Sequence, residues 1–284
     1  MRRFLIESLA RHWPFANGQG RIVDRLGGGV DLGSGERCVR TADGFAMQVL
    51  TDDHIGRHLI LSGQFDRAGA DVLADFGRPG DAIADVGANI GYVACLLLAK
   101  LPGSHVTCVE PQPEVAALLA RNLEQFGKGR SRILRAALSD REGEGALAVD
   151  RANRGASALA DSGLAIPLRR AAAFFGAMDR LDLLKMDIEG GEATVFADST
   201  ESLEALQPRA ILYEDNRRLS GPGQPIGALL AGIGYRLYGL DKRLTRTALT
   251  PVTRENAGAF HDVLALSTRR ELPQAACRKY AVAP

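Results

Sequence analysis

Asp85-Val86-Gly87-Ala88-Asn89-Ile90-Gly91, followed at one strand-helix-strand spacing by Val109-Glu110-Pro111, is the stretch that decides the fold. Residues 82–86 read as a short apolar strand, Gly87 to Gly91 as a tight turn opening a helix, and Glu110 as an acid closing the next strand. A parallel α/β sheet holds a nucleoside with this combination of a glycine-rich turn and a carboxylate one strand away. The helix after the turn aims its N-terminal N–H groups at the same place.

Outward from that turn the chain alternates between strand and helix. Residues 92–101 form a helix that Pro102 and Gly103 end, 105–109 a second strand, and 114–126 a second helix with Val115, Leu118, Leu119 and Leu123 on one face. A third strand is expected over 131–137, an antiparallel addition over 145–149, and a polar, pocket-shaping loop over 150–165. Residues 181–186 make a central strand, 192–196 begin a helix, and 210–213, 235–238 and 263–266 are further strands. The pattern predicts an α/β sheet of about seven strands, mostly parallel, with helices on both faces. Residues 18–35 read as turns, 45–50 as a strand and 53–61 as a short helix. The expected organisation is an N-terminal extension, 1–78, packed on a nucleoside-binding domain, 79–269, with a C-terminal tail, 270–284.

A chain of 284 residues suits one large core. Its 35 basic and 34 acidic residues leave no strong field and give no support for a nucleic-acid partner. Cys38, Cys95, Cys108 and Cys277 have no Cys-x-x-Cys spacing and read as buried, reduced thiols. No stretch approaches the ~20 apolar residues of a membrane span, and Glu7, Arg11 and His12 interrupt the N-terminal apolar run, so a cytoplasmic protein is expected. Residues 1–13 read as a basic amphipathic helix, with Phe4, Leu5, Leu9 and Trp13 set against Arg2, Arg3 and Arg11. Such a helix suits an anionic membrane surface, its own domain or another subunit of a homo-oligomer.

The cofactor class follows from Asn89, which occupies the position where a dinucleotide fingerprint needs its second glycine. A pyrophosphate is thereby disfavoured, and S-adenosylmethionine, which has no phosphate, fits better. Asp85 is expected to order the turn or meet the ligand's ammonium through water, and Asn89 offers both a donor and an acceptor. Glu110 presents two acceptor oxygens to the vicinal ribose hydroxyls. Adenine is placed by topology near Ala137-Leu138-Ser139-Asp140, with Ser139 or Asp140 on its exocyclic amine; an ordinary cap and turn is the alternative for that pair.

A second polar cluster, Leu183 through Glu192, puts Lys185, Asp187 and Glu189 on one side of a central strand. Charges so close to a sheet are costly unless they pair or bind something. Asp187 is expected to hold the cofactor's ammonium or the acceptor, Lys185 to neutralise carboxylates, and Glu189 to cap the loop or reach the acceptor; an internal ion-pair network is the alternative. Glu192 suits a helix N-terminus. Glu214 or Asp215, closing the next strand, is a candidate base for an acceptor hydroxyl, and His261 another. His54 and His58 stand four apart, but no third ligand follows at a characteristic spacing, and no metal is expected.

These residues resemble the FkbM family of S-adenosylmethionine-dependent methyltransferases. The matching pieces are the Asp85 to Gly91 turn, Glu110-Pro111, Arg121-Asn122-Leu123, Ala137-Leu138-Ser139-Asp140, and Lys185-Met186-Asp187-Ile188-Glu189-Gly190 with Glu192. The resemblance implies a class I methyltransferase fold whose seven-stranded sheet ends in a reversed hairpin, acting as an O-methyltransferase on a hydroxyl of a sugar, glycan or small secondary metabolite. It implies that Asp85, Gly87, Asn89 and Gly91 form the methionine-side loop, that Glu110 takes the ribose, and that Asp187 and Glu189 lie next to the transferred methyl. Residues 168–175, Gly191 and Asp66 depart from the family pattern, which leaves the acceptor open. N-methylation, a nicotinamide-dependent oxidoreductase lacking a Tyr-x-x-x-Lys pair, and a non-catalytic cofactor-fold protein are the rival readings.

Overall fold

The computed structural model describes residues 2–150 and 152–283. Met1 of the N-terminal stretch, Arg151 of the expected pocket loop and Pro284 of the expected tail lie outside them. The chain enters through helices α1 (Arg2–Arg11) and α2 (Gln19–Leu26), a hairpin of β1 (Glu36–Arg40) and β2 (Ala46–Leu50), and helices α3 (His54–Ser62) and α4 (Arg67–Asp75). Asp53 starts α3 by accepting the N–H groups of Ile55 and Gly56, and Gly63, in the left-handed region, ends it.

The alternating part follows as β3 (Ala82–Val86), α5 (Tyr92–Lys100), β4 (His105–Val109), α6 (Pro113–Leu123) and β5 (Ser131–Leu134). Pro113 and Glu114 suit the first turn of α6. Next come β6 (Ala137–Ser139), β7 (Gly143–Ala148), β8 (Ala158–Ala160), β9 (Leu164–Arg170) and α7 (Ala171–Gly176). The chain then forms β10 (Leu183–Met186), α8 (Glu192–Asp198), α9 (Thr200–Leu206), β11 (Ala210–Glu214) and α10 (Pro225–Gly232). It closes with β12 (Tyr235–Arg243), β13 (Arg246–Pro251), β14 (Asp262–Ser267) and α11 (Gln274–Tyr280).

The central sheet has eight strands in the order β13-β12-β14-β11-β10-β3-β4-β5. β11, β10, β3, β4 and β5 are parallel, and β14 inserts antiparallel between β11 and β12. The strand beyond the expected seven is β13, which hairpins onto β12 at the edge. Pairing sets Asp85 beside Lys185 on one flank of β3 and beside Cys108 on the other. The strand order reverses about β3, so the crevice outside the carboxyl ends of β10, β3 and β4 is the switch point where such sheets bind ligands.

The region after β5 departs from the sequence reading. The expected strand over 131–137 breaks at exposed Arg135, and β6 pairs instead with β9 in a separate four-stranded sheet ordered β6-β9-β7-β8. The antiparallel addition, β7, belongs to that small sheet. The expected loop over 150–165 contains β8, the start of β9 and a single 3-10 turn at Arg154–Ala156.

Each face of the central sheet buries its own apolar layer. One joins Ala84, Val86, Leu184 and Met186 to Phe175, Phe196 and Tyr213. The other carries Leu97, Leu118 and Leu264 together with Val23, Met47 and Leu59 of the entry region and Cys277 and Tyr280 of α11. The expected C-terminal tail therefore includes a docked helix: Tyr280 stacks on Phe76 at 5.9 Å, and Lys279 pairs with Asp75 at 2.6 Å. α1 docks by Ile6 and Ala10, each one position on from Leu5 and Leu9 and so on a neighbouring face about 100° round, and leaves Leu5, Leu9 and 75% of Phe4 exposed. Cys95, Cys108 and Cys277 are buried and Cys38 is exposed, all four as free thiols. Among the described residues no helix is long and apolar enough to cross a membrane.

Candidate active site at the carboxyl edge of the sheet

The turn after β3 is built by three left-handed residues, Gly87 (φ 76°), Asn89 (φ 50°) and Gly91 (φ 88°). A Cβ on Gly87 would stand 1.7 Å from the carbonyl oxygen of Asp187, so this glycine lets the ends of β3 and β10 touch. A Cβ on Gly91 would stand 2.6 Å from Leu119 Cδ1; Gly91 thus seats α5 on α6 and does not line the cavity. Asn89 spends its Oδ1 on the N–H of Ile90 at 2.7 Å, which leaves its amide nitrogen for a ligand.

Lys185 ties the turn to β10. Its Nζ donates to the carbonyl of Gly87 at 2.9 Å and lies 3.6 Å from Asp85 and 3.5 Å from Asp187. Burial pulls the Lys185 ammonium down, but Asp187 and Asp85 outweigh it and hold the group above the ordinary lysine range. Asp85 is fully buried, does not line the cavity, and has no hydrogen bond to either side-chain oxygen among the described residues. Burial pushes its carboxyl up, with Lys185 opposing. Asp85 thus faces Lys185, beside which strand pairing sets it, and Lys185 in turn holds the Gly87 carbonyl of the turn.

Glu110, at the end of β4, is buried and held from both sides. The N–H of Asn89 donates to its Oε2 at 3.0 Å and that of Gln112 to its Oε1 at 2.9 Å. Each oxygen keeps a further lone pair for a hydroxyl. Burial pushes the carboxyl up to about 7, with these two N–H groups resisting.

A cavity of about 640 Å³ opens beyond the turn, a size suited to a nucleoside cofactor with an acceptor. Gly87, Asn89, Glu110, Ser139 and Asp140 line one part of it; Lys185, Asp187, Glu189 and Glu214 line another. Ser139 is buried at the end of β6 and donates to exposed Asp140 at 3.1 Å. A buried carboxylate with two acceptor oxygens beside a left-handed turn with a spare amide donor fits an adenosyl amino acid. None of these wall groups calls for a phosphate.

The acidic wall is crowded. One carboxylate oxygen from each of Asp187, Glu189 and Glu214 lies within 4.8 Å of the others. Burial and then the neighbouring Asp187 push Glu214 up to about 8, and burial raises Glu189 as well. Asn216 Nδ2 donates to Glu214 at 2.9 Å and to Glu189 at 3.3 Å. Asp215 is excluded as a base: it turns away from the cavity, and its oxygens accept the N–H groups of Leu219 and Ser220. His261 is exposed outside the wall, and its Nδ1 meets Asn216 at 3.2 Å. Glu192 caps its own helix entry by accepting the N–H of Ile188 at 3.0 Å.

The sequence reading missed Asp262, Asp66, Arg217, Arg154 and His54, which also line the cavity. Asp262 was findable only through pairing, since antiparallel β14 sets it opposite Glu214. Arg154 comes from the expected loop, where no motif marks it, and His54 from the entry region, where its spacing to His58 points only to a metal.

A parallel sheet that binds at its switch point through a glycine turn and a strand-end carboxylate, and that closes with antiparallel strands, is that of a class I methyltransferase. The methyltransferase FkbM domain matches residues 85–237, and the chain belongs to that family: it is an S-adenosylmethionine-dependent methyltransferase. A search of proteins of curated function found no match. Among solved structures, a TehB-like SAM-dependent methyltransferase from Corynebacterium glutamicum is similar at 13% identity and TM-score 0.42, over 75% of this chain and 94% of that one. Magnesium protoporphyrin IX methyltransferase from Synechocystis PCC 6803, with bound SAM, is similar at 12% identity and TM-score 0.40, over 72% of this chain and 77% of that one.

Proposed function

We propose that this methyltransferase transfers its methyl group to a hydroxyl of a sugar, glycan or small secondary metabolite, with Glu214 as the base. The observation that carries this reading is the Glu214 carboxylate on the cavity wall, one of its oxygens within 4.8 Å of Asp187 and Glu189, where burial and Asp187 raise its basicity. When bound, S-adenosylmethionine supplies an electrophilic methyl on a sulfonium. Glu110 accepts the ribose hydroxyls, and Asn89 with the Gly87 turn holds the methionine end. Asp187 and Glu189 keep the acceptor hydroxyl in line with the methyl carbon, where alignment accounts for most of the acceleration. Glu214 takes the hydroxyl proton as the new C–O bond forms and the methyl–sulfur bond breaks, its electron pair staying with the sulfur. Residues 79–269 carry this chemistry, with 1–78 forming part of its wall.

The acidity of the wall, which includes Asp66 and Asp262, favours a second reading in which a cationic amine is the acceptor. Transfer of labelled methyl to a panel of polyols, glycosides and amines, with the product read as an O-methyl or N-methyl group by NMR, separates the two. For a hydroxyl acceptor, kcat/KM should rise with pH through a midpoint near 8 and level off roughly one unit above it, because Glu214 must first lose its proton in the free enzyme. Glu214→Gln should lower kcat by about 10²–10⁴ and leave cofactor affinity within a few-fold. A variant in which only KM changes would remove Glu214 from the base role.

A further inference from the structure

Two imidazoles and a carboxylate meet on the seam between α2 and α3, at the border of the main cavity, which His54 also lines. His54 and His58 lie one turn apart on α3, their ring centroids 4.4 Å from each other and both edge-on to Phe65 at 5.7 and 5.4 Å. The third group, absent from any local spacing, comes from α2: Asp24 Oδ1 is 2.8 Å from His58 Nε2. One ligand atom from each of the three residues lies within 4.8 Å of the other two. We propose that Asp24, His54 and His58 form a binding site for a divalent transition-metal cation of the zinc type.

The donor set selects that class of ion. Two imidazoles with one carboxylate suit zinc and its neighbours, whereas calcium and magnesium take mainly oxygen ligands. Tetrahedral ligands about 2.05 Å from zinc stand roughly 3.3 Å apart. The Asp24–His58 pair therefore opens by about half an ångström on loading, while His54 closes in. Asp24 is exposed and can make that adjustment. His58 is only 4% exposed, and His54 is fixed at the first turn of α3, where its backbone N–H donates to Ala152 at 3.0 Å.

A second cleft of about 280 Å³ leads to the site past Gly20, Gln64 and Asp66, giving a route in and room for water as a fourth ligand. The cations around this cleft are largely engaged elsewhere. Arg67 pairs with Asp43 at 2.7 Å and Asp71 at 2.9 Å, Lys242 with Asp66 at 2.6 Å and Asp262 at 2.7 Å, and Arg57 donates to the carbonyl of Gly27 at 3.0 Å. Arg21 is exposed. The bound ion clamps α2 to α3, whose first two residues, His54 and Ile55, line the main cavity. Its part is structural, holding the entry helices against that wall.

The test uses the full chain stripped with a chelator and titrated calorimetrically with zinc chloride. The expected result is one zinc per chain with micromolar or tighter affinity, and a higher thermal midpoint in the loaded protein. His54→Gln and Asp24→Asn, both at positions that solvent reaches, should each weaken binding by at least about tenfold while far-ultraviolet circular dichroism stays unchanged. Absence of a stoichiometric site, or affinity that survives both substitutions, would overturn the proposal and leave the triad a hydrogen-bonded packing cluster.

Discussion

At the scale of single residues, Glu110 shows how one environment serves two needs. In the ribose-binding role proposed for it the carboxyl must be dry to grip two hydroxyls strongly, and the same dryness pushes it up to about 7. Below that pH a proton occupies one acceptor oxygen, so the dissociation constant for S-adenosylmethionine should rise about tenfold per pH unit and stay level above it. Stability has the opposite sign: in the cofactor-free protein the folded state keeps a proton that the unfolded chain loses near 4.5, so stability falls as pH rises from about 4.5 to about 7. Calorimetric titration across this range checks the first effect, and thermal melts with and without cofactor check the second. Glu110→Gln should bind weakly at every pH, and a pH dependence that persists in that variant would assign the titration to another group.

At the scale of elements, the bond between β3 and β10 is electrostatic as well as hydrogen-bonded. Lys185 is the cation nearest Asp85, which is wholly buried. Removing one partner of such a pair leaves a desolvated charge, typically at a cost of 3–5 kcal/mol, whereas replacing both with neutral groups costs far less. Lys185→Met should therefore lower stability by about that amount in denaturant melts, and Lys185→Met with Asp85→Asn should recover much of it. Equal stability of the single and double variants would mean that the two charges do not see each other. This scale also explains what could be read from the chain in advance. The β3 turn, Glu110 and the Lys185 to Glu192 run were legible because each is a local pattern whose geometry follows from strand alternation or a turn. The pairing of Asp85 with Lys185 was not legible, because strand alternation gives a face, while the partner on that face is set by a neighbouring strand distant in sequence. The small sheet was illegible for a related reason. β6 and β8 are three residues each, and they are strands through their pairing with β9 and β7, which no local pattern announces.

At the scale of the whole molecule, chemistry and stability sit at opposite edges of one sheet. The carboxyl edge carries the crowded acids of the cavity. The amino edge is locked by Arg209, buried between Asp81 and Asp182, with Arg270 reaching Asp182 at 2.9 Å. The entry helices, one face of the sheet and α11 share a single apolar layer, so the three segments read from the sequence as extension, domain and tail are expected to unfold together. α11 tests this coupling, because it lies far along the chain from the site yet contributes Tyr280, whose ring stacks on Phe76 and whose hydroxyl donates to Asp75 at 2.6 Å. Truncating a buried aromatic side chain typically costs 3–5 kcal/mol. Tyr280→Ala should thus lower stability by about 3 kcal/mol in a single cooperative transition seen alike by near- and far-ultraviolet circular dichroism. The fraction that stays folded should bind S-adenosylmethionine with unchanged affinity, because Tyr280 does not line the cavity. Two separate transitions would show that α11 and the entry helices unfold independently of the sheet, and the shared layer would then be contact without cooperativity.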